Sequence, residues 1–278
     1  MQRVPHVQGP DPAFVERVLD IALASGRVFA IAGAQGCGKS TLATRMVEAA
    51  RSRGVRAVSV SLDDAYLDRP QRLALARAVH PLLATRGPPG THDVGLMVEM
   101  LDALDDGRPV ALPRFDKLTD RRIPARDWPR VDRCDLAIVE GWCLKVPAED
   151  DAGLLTPLNA IERDEDAHGV WRRCCNDALR LDYPALWSRL PRLLYLQPPS
   201  FDVVPQWRWQ QECEALAARP GTTGMSRLEV DRFVQLFERV TRRGMATLPA
   251  IADHVVRLDT QRFPDPDDVA RLTPTLGA

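Results

Sequence analysis

The feature that most constrains this chain is a glycine-rich turn that directly follows an apolar run, VFAIAGAQGCGKST at residues 28–41. Val28, Phe29 and Ile31 have the branching of a buried strand, and residues 33–40 fit the pattern G-x-x-x-x-G-K-S. Glycines let the backbone bring its N–H groups close to a polyphosphate, and a helix that starts here offers its positive end. The stretch therefore predicts a strand, a phosphate-binding loop and a helix.

The residues of this loop are predicted to hold the phosphates of ATP, with Mg²⁺ as the second cofactor. Lys39 is placed to reach the β and γ phosphates, and the Ser40 hydroxyl to ligate Mg²⁺. Lysine occurs at only three positions, 39, 117 and 145, so a lysine in this slot is distinctive. Cys37 is interpreted as a small spacer that supplies its N–H. The nucleotide-binding set is Gly33, Ala34, Gln35, Gly36, Cys37, Gly38, Lys39, Ser40 and Thr41.

Composition narrows the class of protein. With 278 residues and 45% hydrophobic content, the chain is expected to form one domain with insertions. A formal net charge of −1 argues against nucleic acid or an anionic membrane as a partner. Six cysteines without zinc-type spacing favour a reduced compartment, and we find no signal peptide or membrane span. We therefore expect a cytoplasmic protein that binds a small molecule; its oligomeric state is left open.

The order of elements predicts an α/β fold that contains a parallel sheet. Strands are predicted at residues 28–31, 55–60, 109–112, 136–139, 193–196 and 254–258, and helices at 11–26, 42–54, 70–86, 93–107, 171–190, 207–219 and 226–240. The first strand, helix and second strand form a βαβ unit, which places the ends of its strands at one edge of the sheet.

Charged residues follow the predicted strands at the edge where such sheets place their chemistry. Asp63 and Asp64 follow the second strand, and Asp63 is predicted to be the base for the acceptor hydroxyl or a ligand of the metal. Glu140 follows the strand at 136–139 and is predicted to hold Mg²⁺ directly or through water. Arg114 and Lys117 are expected at the same edge, in contact with substrate or phosphate.

Two residues are predicted to complete the site from other segments. His92 lies in a loop rich in proline and glycine, residues 86–93, and is predicted to contact the substrate. Arg208 is predicted to be a lid arginine that closes over the phosphates. Trp207 and Trp209 cannot share one face of a helix, so we expect one in the core and one on the surface of the lid.

Six segments in order, SLDDAYL, RGPPGTHD, LPRFDK, VEGW, WRWQQE and GMS, resemble the D-glycerate 3-kinase family and its fungal and bacterial ATP-binding relatives. This family is a branch of the phosphate-loop kinases related to phosphoribulokinase, uridine kinase and pantothenate kinase. The resemblance covers residues 27–260 or so and implies a P-loop NTPase fold with a doubly wound, mostly parallel sheet, flanked by helices and completed by a helical lid. It also implies ATP with Mg²⁺ and γ-phosphate transfer to a hydroxyl of a small acid. The first candidate reaction is D-glycerate to 3-phosphoglycerate, with Asp63 at the position of the base.

The resemblance also implies where the acceptor binds, and two departures from the family pattern bear on it. The predicted acceptor site consists of Asp64, Tyr66, Thr91, His92, Asp93, Arg114 and Lys117. Ala65 replaces a usual phenylalanine, and the segment after LPRFDK is short, so Arg121 and Arg122 are candidates to substitute for its arginines. Two alternatives stay open: a kinase for another acceptor, such as a nucleoside, a pantothenate-like acid or a sugar acid, and an ATP-binding switch without a small acceptor.

The resemblance gives a division of the chain as a single P-loop kinase domain over residues 1–278. Its expected parts are an N-terminal helix at 11–26, a nucleotide core at 27–147, an acidic insertion at 148–170, a helical and lid part at 171–262, and a polar tail at 263–278.

Overall fold

The computed structural model describes residues 9–218 and 224–273. Within these ranges the strands are β1 (Val28–Gly33), β2 (Ala57–Ser61), β3 (Val110–Ala111), β4 (Phe115–Asp116), β5 (Arg121–Arg122), β6 (Arg130–Val131), β7 (Leu136–Gly141), β8 (Leu193–Gln197) and β9 (His254–Arg257). Five of them form a parallel sheet in the order β2-β7-β1-β8-β9. The predicted α/β fold with a parallel sheet is confirmed.

Helices cover both faces of this sheet, as a doubly wound fold requires. They are α1 (Pro12–Ala24), α2 (Lys39–Ser52), α3 (Arg69–Ala78), α4 (Val94–Asp105), α5 (Ala160–Asp164), α6 (Val170–Leu181), α7 (Pro184–Trp187), α8 (Val204–Ala218), α9 (Arg227–Ile251) and α10 (Pro266–Arg271). Alternate residues of β1 face the two layers: Val28, Ala30 and Ala32 join the core under α4, α6 and α9, whereas Phe29 and Ile31 join the core under α1 and α2. β1 is therefore buried on both faces.

The register of the strands brings three chain segments to one point at the carboxyl edge. Glu140 of β7 lies opposite Ile31 of β1 on one side and opposite Ser61 of β2 on the other. The phosphate loop leaves β1 two residues later, and the turn with Asp63 leaves β2 at once. The edge thus collects residues that are far apart in sequence.

Several predicted elements differ from those observed, mostly because tertiary pairing decides short segments. The second strand starts at Ala57 rather than 55 and is only partly buried, because it is the edge of the sheet. The strand predicted at 109–112 is not in the main sheet; β3 pairs with β6 in a separate antiparallel ribbon. The helix predicted at 70–86 ends at Ala78, and a 3₁₀ turn at Pro81–Ala84 replaces its last part.

The second half of the chain shows similar differences. The helix predicted at 171–190 is broken into α6 and α7 just before Pro184, since proline cannot continue a hydrogen-bonded helix. The acidic insertion contains the short helix α5, and the polar tail contains α10. The helix predicted from residue 226 is confirmed as α9, and a capping box of Ser226 and Glu229 starts it. Residues 219–223, where the helix predicted at 207–219 ends, lie outside the described residues.

Among the described residues, no helix is both long enough and apolar enough to cross a membrane. The division of the chain into a single domain with the parts given above stays a prediction.

Candidate active site

The phosphate loop lies between β1 and α2, and glycines set its path. Gly38 is the N-cap of α2 at φ 98°, and Gly36 has φ 74°, so both occupy the left-handed region that L side chains rarely adopt. A Cβ on Gly36 would also lie 2.8 Å from the backbone carbonyl carbon of Trp207 in α8. The loop is therefore held in close contact with α8, and the first N–H groups of α2, which lack helical partners, remain for a ligand.

Lys39 and Ser40 occupy the first turn of α2. The buried Lys39 ammonium donates to the carbonyl of Ala34, 3.3 Å away within the loop. The Ser40 hydroxyl donates to Oε1 of Glu140 at 3.0 Å, and Glu140 is 6% exposed at the end of β7. A hydroxyl and a carboxylate at this spacing supply two hard oxygen donors at the base of the loop, which are the kind of ligands that Mg²⁺ prefers.

Asp63 and Asp64 lie in a 3₁₀ turn directly after β2, and each has its own cation. Lys117 Nζ is 2.6 Å from Oδ2 of Asp63, and Arg114 NH1 is 3.2 Å from Oδ2 of Asp64. Burial alone raises the pKa of Asp63, but Lys117, a hydrogen bond from Tyr66 and the nearby Lys39 outweigh it and hold that pKa well below its usual range. Asp63 is therefore ionised at neutral pH.

The acceptor loop, residues 86–93, is attached to the turn after β2. Leu67 N donates to the carbonyl of Thr91 at 2.8 Å, and Asp93 N donates to the carbonyl of Ala65 at 2.7 Å. Between these bonds the rings of Tyr66 and His92 stack, with centroids 4.9 Å apart. Two hydrogen bonds and a ring contact thus fix His92 beside Tyr66, the residue that bonds to Asp63.

His92 is 5% exposed, and burial lowers its pKa to about 4. Its Nδ1 lies 2.6 Å from the hydroxyl of Tyr183, and its Nε2 is buried without a hydrogen-bond partner among the described residues.

Thr91 has a different environment, because its hydroxyl donates to Pro88 O and accepts from Gly87 N. The structure thus gives Thr91 a role in shaping the loop.

The remaining predicted acceptor residues are brought to this edge in ion pairs. Asp93 caps α4 through Leu96 N and pairs with Arg122 at 3.0 Å. Arg122 also donates twice to the carbonyl of Tyr66, whereas Arg121 pairs with Asp68. Of the two arginines proposed as substitutes, Arg122 lies nearer to the acceptor loop.

In the structure Arg208 is paired within its own helix. Its guanidinium pairs with Glu212 of the same helix at 2.7 Å and lies 5.7 Å from the centre of the Phe233 ring. Its predicted role as a lid arginine would require it to leave these partners. Of the two tryptophans, Trp207 is the core residue at 1% exposure, and Trp209 packs half-buried against the apolar cluster between α8 and α9.

A different arginine lies at the phosphate loop, and sequence reasoning missed it. Arg262, in the turn after β9, donates through Nε to the carbonyl of Gly36 at 2.6 Å and through NH2 to Gln210 at 2.5 Å. With Gln211 and Glu214 of α8, it lines an open pocket at the loop. The sequence signal that could have pointed to Arg262 is its position just after the last parallel strand, because such folds bind ligands at the carboxyl edge of the sheet.

Comparison with known proteins places this chain among kinases. The model of the phosphoribulokinase / uridine kinase family matches residues 28–145. A Schizosaccharomyces pombe protein described as the uncharacterized kinase mug58 is 32% identical over 219 residues, covering 74% of this chain and 76% of that protein. The chloroplastic D-glycerate 3-kinase of Arabidopsis thaliana is 27% identical over 80% of this chain, and the match spans 48% of that longer protein.

Among solved structures, D-glycerate 3-kinase from Cryptococcus neoformans superimposes with a TM-score of 0.70 at 24% identity, covering 91% of this chain and 95% of that one. This likeness confirms the P-loop kinase fold, and the resemblance seen in the sequence is confirmed by the family match. The protein is accordingly an ATP-dependent phosphotransferase that acts on an alcohol group. The chain belongs to the phosphoribulokinase / uridine kinase family.

Proposed function

We propose that this kinase transfers the γ-phosphate of ATP, with Mg²⁺, to a hydroxyl of a small hydroxy acid, and that D-glycerate is this acid and 3-phosphoglycerate the product. The observation that carries the proposal is the juxtaposition of the phosphate loop with an ionised Asp63 at one edge of the sheet. Lys39 is close enough to Asp63 to lower its pKa. Phosphoryl transfer needs these two groups on either side of the transferred phosphate.

In this proposal each part of the site has one role. The loop from Gly33 to Thr41 holds the phosphates through backbone N–H groups, and Lys39 neutralises charge on the transferred group. Asp63 accepts the proton of the attacking hydroxyl. Lys117 pairs with Asp63 and is also close enough to Glu140 for that carboxylate to raise its pKa. In this proposal it exchanges its carboxylate partner for a phosphoryl oxygen and thereby releases the base.

Mg²⁺ fits the oxygen donors at the end of β7. The Ser40 hydroxyl and the Glu140 carboxylate would hold it, Glu140 directly or through water, and the ion would neutralise phosphate charge. Asp63, the third predicted metal residue, is committed to Lys117 in the structure. Within the described residues, no three His, Cys, Asp or Glu side chains are grouped as a metal site, so phosphates and water would complete the coordination.

An acidic acceptor is supported by two arginines near Tyr66 that pair with the same carboxylate. Arg72 and Arg86 share a single carboxylate, Asp120, at 2.7 and 2.6 Å, and both guanidinium groups lie about the ring of Phe115. Phe115 packs edge-on against Tyr66 at 5.3 Å. The other candidate cations here each have a carboxylate of their own, so Arg86, a quarter exposed, is the best-placed partner for the acceptor carboxylate.

The choice of D-glycerate rests on the relatives that carry that activity in their names. The departure at position 65 does not count against it, because Ala65 is fully buried in the main core and presents no surface to an acceptor. A kinase for another hydroxylated acceptor, and an ATP-dependent switch, are the alternatives that the experiment must separate.

The test measures ADP release with ATP and Mg²⁺, with and without D-glycerate, in the wild type, Asp63→Asn and the exposed control Asp127→Asn. We expect strong stimulation by D-glycerate that is lost only in Asp63→Asn. Stimulation by a nucleoside or a sugar acid instead would overturn the substrate and keep the mechanism. Release that no acceptor stimulates would overturn the kinase proposal in favour of a switch.

A further inference from the structure

Tyr183 lies beneath the acceptor loop and has no place in the site described so far. It stands between α6 and α7, is fully buried, and meets the His92 ring edge-on. Its hydroxyl has two neighbours in the acceptor loop: Gly90 N at 3.3 Å and Nδ1 of His92 at 2.6 Å. These two contacts determine which proton each group can carry.

The donors and acceptors around the Tyr183 hydroxyl determine where its proton lies. Gly90 N–H can only donate, so it occupies a lone pair of the Tyr183 oxygen. Among the described residues, the single hydroxyl proton then has one acceptor within reach, which is Nδ1 of His92. The opposite arrangement, with Nδ1–H donating to Tyr183, would leave the phenolic proton unsatisfied in the protein interior, where such a group costs about 1–3 kcal/mol. Burial also raises the pKa of Tyr183 well above its usual value, so the hydroxyl keeps its proton.

This assignment has a consequence at the other nitrogen of the ring. His92 is neutral at pH 7, because burial lowers its pKa to about 4, so the ring carries one proton. If Nδ1 accepts, that proton is on Nε2. Nε2 is buried without a partner among the described residues, in a ring that stacks on Tyr66. A buried N–H donor without a protein partner is available to a ligand that binds beside it.

We propose that Tyr183 is a positioning residue that fixes His92 as the Nε2–H tautomer, so that this N–H donates a hydrogen bond to an oxygen of the acceptor beside Asp63. The inference rests on the proposed function and narrows it. His92 then selects an acceptor that presents a carboxylate or hydroxyl oxygen at this point and rejects one that presents an ammonium or amide N–H, because two donors cannot bond to each other.

The first experiment reads the tautomer directly by ¹⁵N and ¹³C NMR of histidine-labelled full-length protein without substrate. The chain has five histidines, and loss of one signal set in His92→Gln assigns His92. We expect the Nε2–H form in the wild type, a mixture of both forms in Tyr183→Phe, and an unchanged spectrum in Tyr195→Phe, which removes another buried hydroxyl. An Nδ1–H form in the wild type, or the same ratio in Tyr183→Phe, would overturn the proposal.

The second experiment measures KM for the acceptor and for ATP in the same variants. Tyr183→Phe should raise the acceptor KM by the inverse of the fraction of His92 that stays in the Nε2–H form, about twofold for an equal mixture, and leave the ATP KM unchanged. His92→Gln, whose side-chain amide keeps an N–H near the place of Nε2, should stay closer to the wild type than His92→Leu. Equal rises in both KM values, or equal losses in the two His92 variants, would show a merely structural role.

These readouts separate the inference from the proposed function. If another acceptor replaces D-glycerate, the substrate proposal fails and the KM comparison is made with that acceptor. If no acceptor is phosphorylated, the kinase proposal and the donor role of His92 fail together, while the NMR ratio in Tyr183→Phe still decides whether Tyr183 fixes the tautomer.

Discussion

At the scale of single residues, the site is a set of charges whose pairings determine what each group can do. Lys39 is buried at the phosphate loop and, within the described part of the chain, donates to a carbonyl, whereas Lys117 is paired with a carboxylate. The first ammonium is thus already placed for phosphate, and the second must change partners. The two lysines should therefore respond differently to substitution.

Lys39→Ala should lower kcat at least about 100-fold, because it removes a preorganised cation from the transferred phosphate. The measurement is steady-state ADP release at saturating substrates. Lys145→Ala is the matched control, since it removes the one lysine that lies outside the site. A Lys39→Ala enzyme with wild-type turnover would contradict the assignment of this loop.

Lys117→Met should shift the acidic limb of the pH profile of kcat/KM to higher pH. The cation holds the pKa of Asp63 below its usual range, so its removal lets that pKa rise, and the protonated, inactive fraction becomes larger at a given acidic pH.

Arg114→Met is the comparison for this shift, because Arg114 pairs with Asp64 instead of Asp63. Its acidic limb should move less. An unchanged limb in Lys117→Met, or a larger shift in Arg114→Met, would show that Asp63 is not the titrating base.

At the scale of elements, the phosphate loop is shaped by its contact with α8 as well as by its own glycines. Trp207 of α8 lies against Gly36, and its indole N–H donates to the carbonyl of Thr260 at 2.9 Å. Arg262, from the same turn as Thr260, donates to the carbonyl of Gly36. The loop, the helix and the turn after β9 thus hold one another.

Gly36→Ala should disrupt this contact. Gly36 and Gly54 have nearly the same φ, 74° and 75°, but a Cβ on Gly54 would meet no atom within 4 Å. Both alanine variants bear the strain of a left-handed residue, about 1–2 kcal/mol, and only Gly36→Ala adds a clash of about 1–3 kcal/mol.

Thermal unfolding and ATP titration calorimetry measure the difference. Gly36→Ala should have the lower Tm and bind ATP at least about tenfold more weakly, whereas Gly54→Ala should bind ATP as the wild type does. Equal Tm values and equal affinities in the two variants would mean that α8 does not shape the loop.

At the scale of the whole molecule, the acidic insertion is anchored to the long helix α9 by buried charge. Glu162 of α5 is fully buried and accepts from Arg239 at 2.7 and 2.6 Å. Arg239 also donates to Glu149 at 3.0 Å and to the carbonyls of Gly153 and Thr156. One guanidinium therefore joins the insertion to α9.

Glu162→Gln should destabilise the protein by about 3 kcal/mol, because the fully buried end of the pair loses its charge and Arg239, which is 13% exposed, keeps only Glu149 as a carboxylate partner among the described residues. Glu165→Gln is the control three residues away, since Glu165 pairs with Arg232 on the surface, where such pairs contribute less than about 1 kcal/mol. Urea unfolding at pH 7 measures both. Equal losses would show that the insertion does not depend on the buried pair.

The sequence alone determined the parts of this protein that depend on local chemistry. The phosphate loop, the capping box of α9 and the apolar strands β1, β7 and β8 follow from glycine conformation, hydrogen-bonding side chains and continuous apolar runs. The charged residues at strand ends could also be assigned to one edge of the sheet, because parallel strands connected by helices all end there.

Tertiary structure alone decided which charges neutralise each other and which residues far apart in sequence meet. The pairing of Asp63 with Lys117 and the contact of Arg262 with Gly36 depend on distances across the fold that no local pattern encodes. The contact of Tyr183 with His92 joins positions 91 residues apart. The reason is physical, because the type of residue sets the charge and polarity of a side chain, whereas the packed fold determines which group lies nearest to it.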